Sequence, residues 1–158
     1  MFRTIKIFLF GFIIGAPVGA FLWYAFSPLL FDEVVEEQLA EAEVIATGAF
    51  RDADRSHKGS GNAVIMTFPN GSFEVQLSEF EVTNGPDLEV WLSAHPDPMS
   101  SSDVSENQWI SLGQLKGNVG NQAYAVPEGT DISIYNSVVI WCEQFGVLFS
   151  PAALAGPS

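Results

Sequence analysis

An all-β fold, a single β-sandwich or barrel-like domain preceded by one N-terminal transmembrane helix, is what the sequence predicts, and three observations carry the expectation. Beyond Gly48 the chain breaks into short runs rich in valine, phenylalanine and other strand formers, punctuated by Gly, Pro and Asn. Within one of these runs Phe73, Val75 and Leu77 alternate with Glu74 and Gln76, so one face meets a core and the other water. Ahead of them, residues 7–26 form an uncharged run of 20 residues, long enough to cross a hydrocarbon core as a helix.

The chain divides into an N-terminal membrane anchor at 1–31, an acidic stalk at 32–47 and a β domain at 48–158. Arg3 and Lys6 precede the apolar run, which places the N terminus in the cytoplasm and the remainder outside the cell membrane in a single pass. Val18, Gly19 and Ala20 offer a cleavage point before Phe21. The run is longer than a signal-peptide core, however, and continues through Trp23 and Tyr24, which favours an uncleaved signal anchor. Gly11, Gly15 and Gly19 recur on one helix face and suit a close helix–helix seam, hence an anchor-mediated homo-oligomer. The abundance of glycine in membrane helices is the alternative.

Residues 32–47 are acidic with apolar Val34, Val35, Leu39, Ala42 and Ile45, the pattern of a short stalk helix or charged linker. All 19 acidic residues follow the anchor, against four basic ones (Arg51, Arg55, Lys58, Lys116), so this part carries a net −15. Such a field repels nucleic acid and anionic lipid, and serves first as a solubilising surface.

Strands are expected at 63–68, 72–77, 80–83, 88–93, 109–112, 123–126, 138–142 and 147–149. Pro69, Asn70 and Gly71 join the first two as a hairpin. About 110 residues with eight strands is one domain, and no internal repeat is visible. The polar stretch 94–108 is expected as a functional or mobile loop, and 116–122 (KGNVGNQ) as a loop of tight turns.

Cys142 is the single cysteine, so an intrachain disulfide is excluded. Its setting, VVIWCEQFGVLF, leaves three readings: a buried thiol acting as a small hydrophobe, a redox-active thiol, or a soft ligand for haem or copper. Alternation sets Cys142 on the same face as Val138 and Ile140, opposite Val139 and Trp141.

Four ordered stretches, GAFRDADRSHKGSG (48–61), FEVTNGPDLEVWLS (80–93), LGQLKGNVGNQAYAVP (112–127) and VVIWCEQFGVLF (138–149), resemble the DM-thirteen electron-transfer domain family. The resemblance implies a β-sandwich-like domain outside the membrane and a redox role for the cysteine at Cys142, as a naked thiol or as a prosthetic-group ligand; a redox protein partner is the expectation that goes with such a role.

A haem or copper site needs further ligands, and the soft set is His57, His95, Met66 and Met99. His57, with Asp52 and Asp54 close in sequence to support it, is the candidate partner of Cys142; a turn-bonding histidine is the alternative. Asp87 after Gly85 and Pro86 suits a cation, or more simply a turn. Trp91, Trp109 and Trp141 suit an electron-hopping or sugar-stacking surface, with core packing as the alternative. Nucleophile-elbow, HExxH and CxxCH patterns are missing, so the chain reads as a redox domain or a non-catalytic cell-surface binding module with a structural cysteine, more than as an enzyme on its own.

Overall fold

The computed structural model describes residues 2–26 and 31–156, with the side chains of the N-terminal helix described over 9–23. That helix, α1, runs Phe2–Phe26. Among the described residues no helix is long and apolar enough to cross a membrane. The transmembrane helix expected over 7–26 is therefore not shown.

Nine strands follow: β1 Val34–Glu36, β2 Glu43–Ala49, β3 Gly59–Thr67, β4 Phe73–Val82, β5 Leu88–Ser93, β6 Trp109–Gln114, β7 Val119–Ala125, β8 Ser137–Cys142 and β9 Val147–Ala153. They form a five-stranded sheet, β1-β7-β4-β3-β2, and a four-stranded sheet, β6-β5-β8-β9. Bridges Thr47 to Ala155 and Phe50 to Ala152 tie β9 to the β2 side. The opposite edges, β1 and β6, are not paired, so no barrel closes and the barrel-like alternative falls. Between the sheets lies an apolar core that includes Ile65, Val75, Leu77, Phe80, Val90, Leu92, Val138, Ile140 and Cys142.

The hairpin over 69–71 forms as expected: the Phe68 amide donates to Ser72 O at 3.0 Å, and Gly71 supplies the positive φ of 81°. The strands expected at 72–77 and 80–83 are one strand, β4. Glu79 takes φ 50° in a bulge and donates its amide to Asn121 Oδ1. Gln76, expected in water, is buried, because Nε2 donates to Ala40 O and to Glu74.

Residues 32–47 are neither a stalk helix nor a free linker. They supply β1 and most of β2, which occupy the two edges of the five-stranded sheet. β1 runs parallel to β7, with Val34, Val35 and Glu36 opposite Val119, Gly120 and Asn121. The acidic residues are acceptors for β7: Glu37 takes Lys116 Nζ at 2.8 Å and the Ala123 amide at 2.9 Å, and Glu36 takes Asn121 Nδ2 at 3.0 Å. The expected 116–122 loop is mostly β7 itself. A Cβ on Gly120, at φ 107°, would lie 2.0 Å from Val35 O, so the close approach of β1 requires glycine there.

The 94–108 stretch is ordered around a short helix, α2 Ser101–Ser105, capped by Ser100 and Asp103. Val104 is fully buried beneath it, Ser101 Oγ accepts the Leu148 amide at 3.0 Å, and Arg51 pairs with Asp97.

Candidate functional site

β8 is buried on both faces. Val138, Ile140 and Cys142 face the inter-sheet core, while Val139 and Trp141 join a second cluster with Trp91, Val104 and Leu148 on the outer face of the four-stranded sheet. Cys142 is 0 % exposed, and its Sγ donates to Pro86 O at 3.0 Å. The Glu143 amide donates to Asp87 O, so the Gly85–Pro86–Asp87 turn clasps the end of β8. Burial pushes the thiol above its ordinary value, opposed in part by the amides of Phe145 and Gln144, and raised further by the carboxylates of Asp87 and Glu143. In this state Cys142 is a protonated thiol.

The other soft ligands are elsewhere. His57 has its ring on Phe149, centroids 4.2 Å apart, and Nδ1 pairs with Asp54 Oδ2 at 2.8 Å. The His57 ring and the amides of His57 and Ser56 bring Asp54 down to about 2. Asp52 does not support His57; it pairs with Lys58. His95 Nδ1 accepts the Asp97 amide, Met99 is exposed, and Met66 lies in β3 of the other sheet. Asp87 is a turn residue at φ 53° whose Oδ1 accepts Gln114 Nε2.

Among the described residues no three His, Cys, Asp or Glu side chains group to hold a metal ion. A groove of about 200 Å³ is lined in part by Gly85, Asp87 and Leu88, beside the turn that takes the thiol, but the sulfur does not line it. A larger groove of about 500 Å³ is walled by Asp32, Asp52, Lys58, Glu81 and Asn118, without histidine, methionine or cysteine. A sulfur that is buried, protonated and committed to a carbonyl, with no second soft ligand placed on it among the described residues, does not fit a haem or copper ligand.

The outer face carries what the sequence suggested only in outline. Trp109 stacks on Trp91 at 3.9 Å and 13°, and Trp91 stacks on Trp141 at 5.0 Å and 28°. Trp109 is 41 % exposed, whereas Trp91 and Trp141 are buried. Trp91 Nε1 donates to Glu89 Oε2 at 2.7 Å, and Ser111 Oγ donates to the same oxygen at 2.6 Å. Sequence reasoning missed Glu89 and Pro86. Glu89 was within reach, since two residues of separation on a strand put it on the face of Trp91.

Fold and site thus define a two-sheet all-β domain with one core thiol and a stack of indoles across the outer face of the smaller sheet. A family model described as Electron transfer DM13 matches residues 50–154, more than half of the chain, and the chain belongs to that family. No curated protein and no solved structure matches it.

Proposed function

We propose that the chain is a redox accessory domain of the electron-transfer class, held at the membrane by residues 1–31, displayed outside it, and exchanging electrons with a redox protein partner through Cys142. The observation that supports this best is the match to the electron-transfer family over 50–154, within which Cys142 is the single thiol. Cys142 ends β8 immediately before the exposed turn at 143–146. The amides of Gln144 and Phe145 in that turn favour its thiolate, while the sulfur donates to Pro86 O of the neighbouring turn. Location rests on the sequence: Arg3 and Lys6 ahead of the uncharged run at 7–26, and acidic residues after it.

The test is made on the full chain. Its visible spectrum, metal content and native thiol reactivity are recorded, and protease is added to intact cells. A colourless, metal-free protein whose thiol never reacts while native sinks the cysteine-centred role. A domain that protease cannot reach sinks the location.

One observation favours a second reading, a non-catalytic surface binding module: the complete burial of Cys142 and its bond to Pro86 O suit a structural thiol. The contact rim would then be 94–108, because β1 covers 119–121. Cys142→Ser separates the readings, abolishing redox behaviour in the first and sparing partner binding in the second.

A further inference from the structure

Packing alone asks nothing of the charge state of an indole neighbour. A buried tryptophan needs one acceptor for its N–H, and a backbone carbonyl would serve. Trp91 instead donates to a carboxylate, at a distance typical of a charge-assisted bond, and that carboxylate also takes Ser111 Oγ. Trp91 is the middle ring of three. Only Trp109 reaches solvent to a large extent, so the stack has one open end and two enclosed rings.

An indole that gives up one electron becomes a radical cation, and its N–H becomes far more acidic. The ring best able to keep that oxidised state is the one whose proton has somewhere to go. We propose that Trp109, Trp91 and Trp141 form an electron relay in which Trp91 holds the oxidised state and Glu89 takes its proton. This deepens the electron-transfer reading and rests on it, but it does not use Cys142.

The co-reactant is a one-electron oxidant, a high-potential metal complex or an oxidising radical, arriving at the Trp109 edge. It gains one electron and leaves Trp109 as a radical cation. An electron from Trp91 then restores Trp109, and Trp91 becomes the radical cation. Its Nε1 proton crosses to Glu89 Oε2, giving a neutral Trp91 radical and a neutral carboxylic acid. A one-electron reductant reverses the sequence, with the proton returning to Nε1. Trp141, stacked on the far side of Trp91, extends the path by one ring.

The full chain carrying Trp23→Phe, which removes the one other tryptophan, is tested by flash photolysis with photogenerated tris(bipyridine)ruthenium(III). The net charge of −13 attracts this cationic probe. The expected product is a neutral tryptophan radical. Trp109→Phe is expected to slow its formation about tenfold, equivalent to about 1.4 kcal/mol of barrier. Replacing the buried Trp91 risks the fold, so the isosteric Glu89→Gln carries the second arm: the product shifts to the radical cation, which absorbs at longer wavelength. Cys142→Ala is expected to change neither rate nor product. Unchanged kinetics in Trp109→Phe, or a neutral radical formed at the original rate in Glu89→Gln, overturns the relay. A radical lost only in Cys142→Ala overturns it too while leaving the cysteine-centred reading standing; loss of thiol redox behaviour with the indole radical intact does the reverse.

Discussion

Trp141 and Cys142 are consecutive residues on opposite faces of one strand, and their surroundings differ in every physical respect. The inner face meets a core of aliphatic and aromatic side chains, and its thiol donates to a backbone carbonyl. The outer face is aromatic, graded from buried to exposed, and supplied with a carboxylate. The same strand therefore sets a thiol in the inter-sheet core on one side and, on the other, an indole at the enclosed end of a stack whose exposed end is Trp109 of β6. Membership of an electron-transfer family does not by itself say which face does the work.

The largest effect expected is on thiol access. Opening β8 enough to admit a bulky thiol reagent exposes core, so Cys142 should react at least roughly a hundredfold more slowly in the native chain than in urea. Stopped-flow labelling across a urea series measures the ratio, and comparable rates would erase the distinction between the faces. Next is Trp141→Ala, which empties a packed position and should cost about 3–5 kcal/mol in urea unfolding. Trp109→Ala, at the exposed end of the same stack, should cost only about 1 kcal/mol. If the two match, the outer face is uniform and the gradient along it has no energetic meaning.

Cys142→Ser should be milder, about 1–2 kcal/mol, because the hydroxyl keeps Pro86 O as an acceptor but packs less well. A loss as large as that of Trp141→Ala would mean the inner site is more demanding than its contacts imply. The smallest effect is on pH. The folded thiol has its pKa raised above the ordinary 9.0. Its contribution is thus fully present below that value and is lost as pH rises through the folded pKa. The urea midpoint of the parent chain should begin to fall above pH 9.0 more steeply than that of Cys142→Ala. Identical curves would show that burial does not disfavour the thiolate.

How much of this was legible depended on where the determining partner sits. Strand β5 matches its expected bounds, and alternation correctly grouped Cys142 with Val138 and Ile140, because a strand's facing is a local property. The electron-transfer family, too, was recognisable from four stretches of sequence. β1 was invisible, because Glu36 and Glu37 resemble a solvated run until Asn121, Lys116 and the Ala123 amide are brought opposite them. β4 looked broken because the residue in its bulge, Glu79, has a left-handed backbone that its type rarely adopts. The indole stack was legible as composition but not as a stack, since the registers of β5 with β6 and β8 decide which rings meet.

The edge position of β1 and β2 has a consequence for where this unit may be cut. The family match begins at residue 50, yet two strands of the larger sheet lie before it. A fragment trimmed to that boundary would bare the flanks of β7 and β3, two unprotected edges inviting other chains to pair. The stretch matched by the family and the stretch that builds the two sheets are therefore different lengths of polypeptide, and the second includes the acidic segment from residue 32.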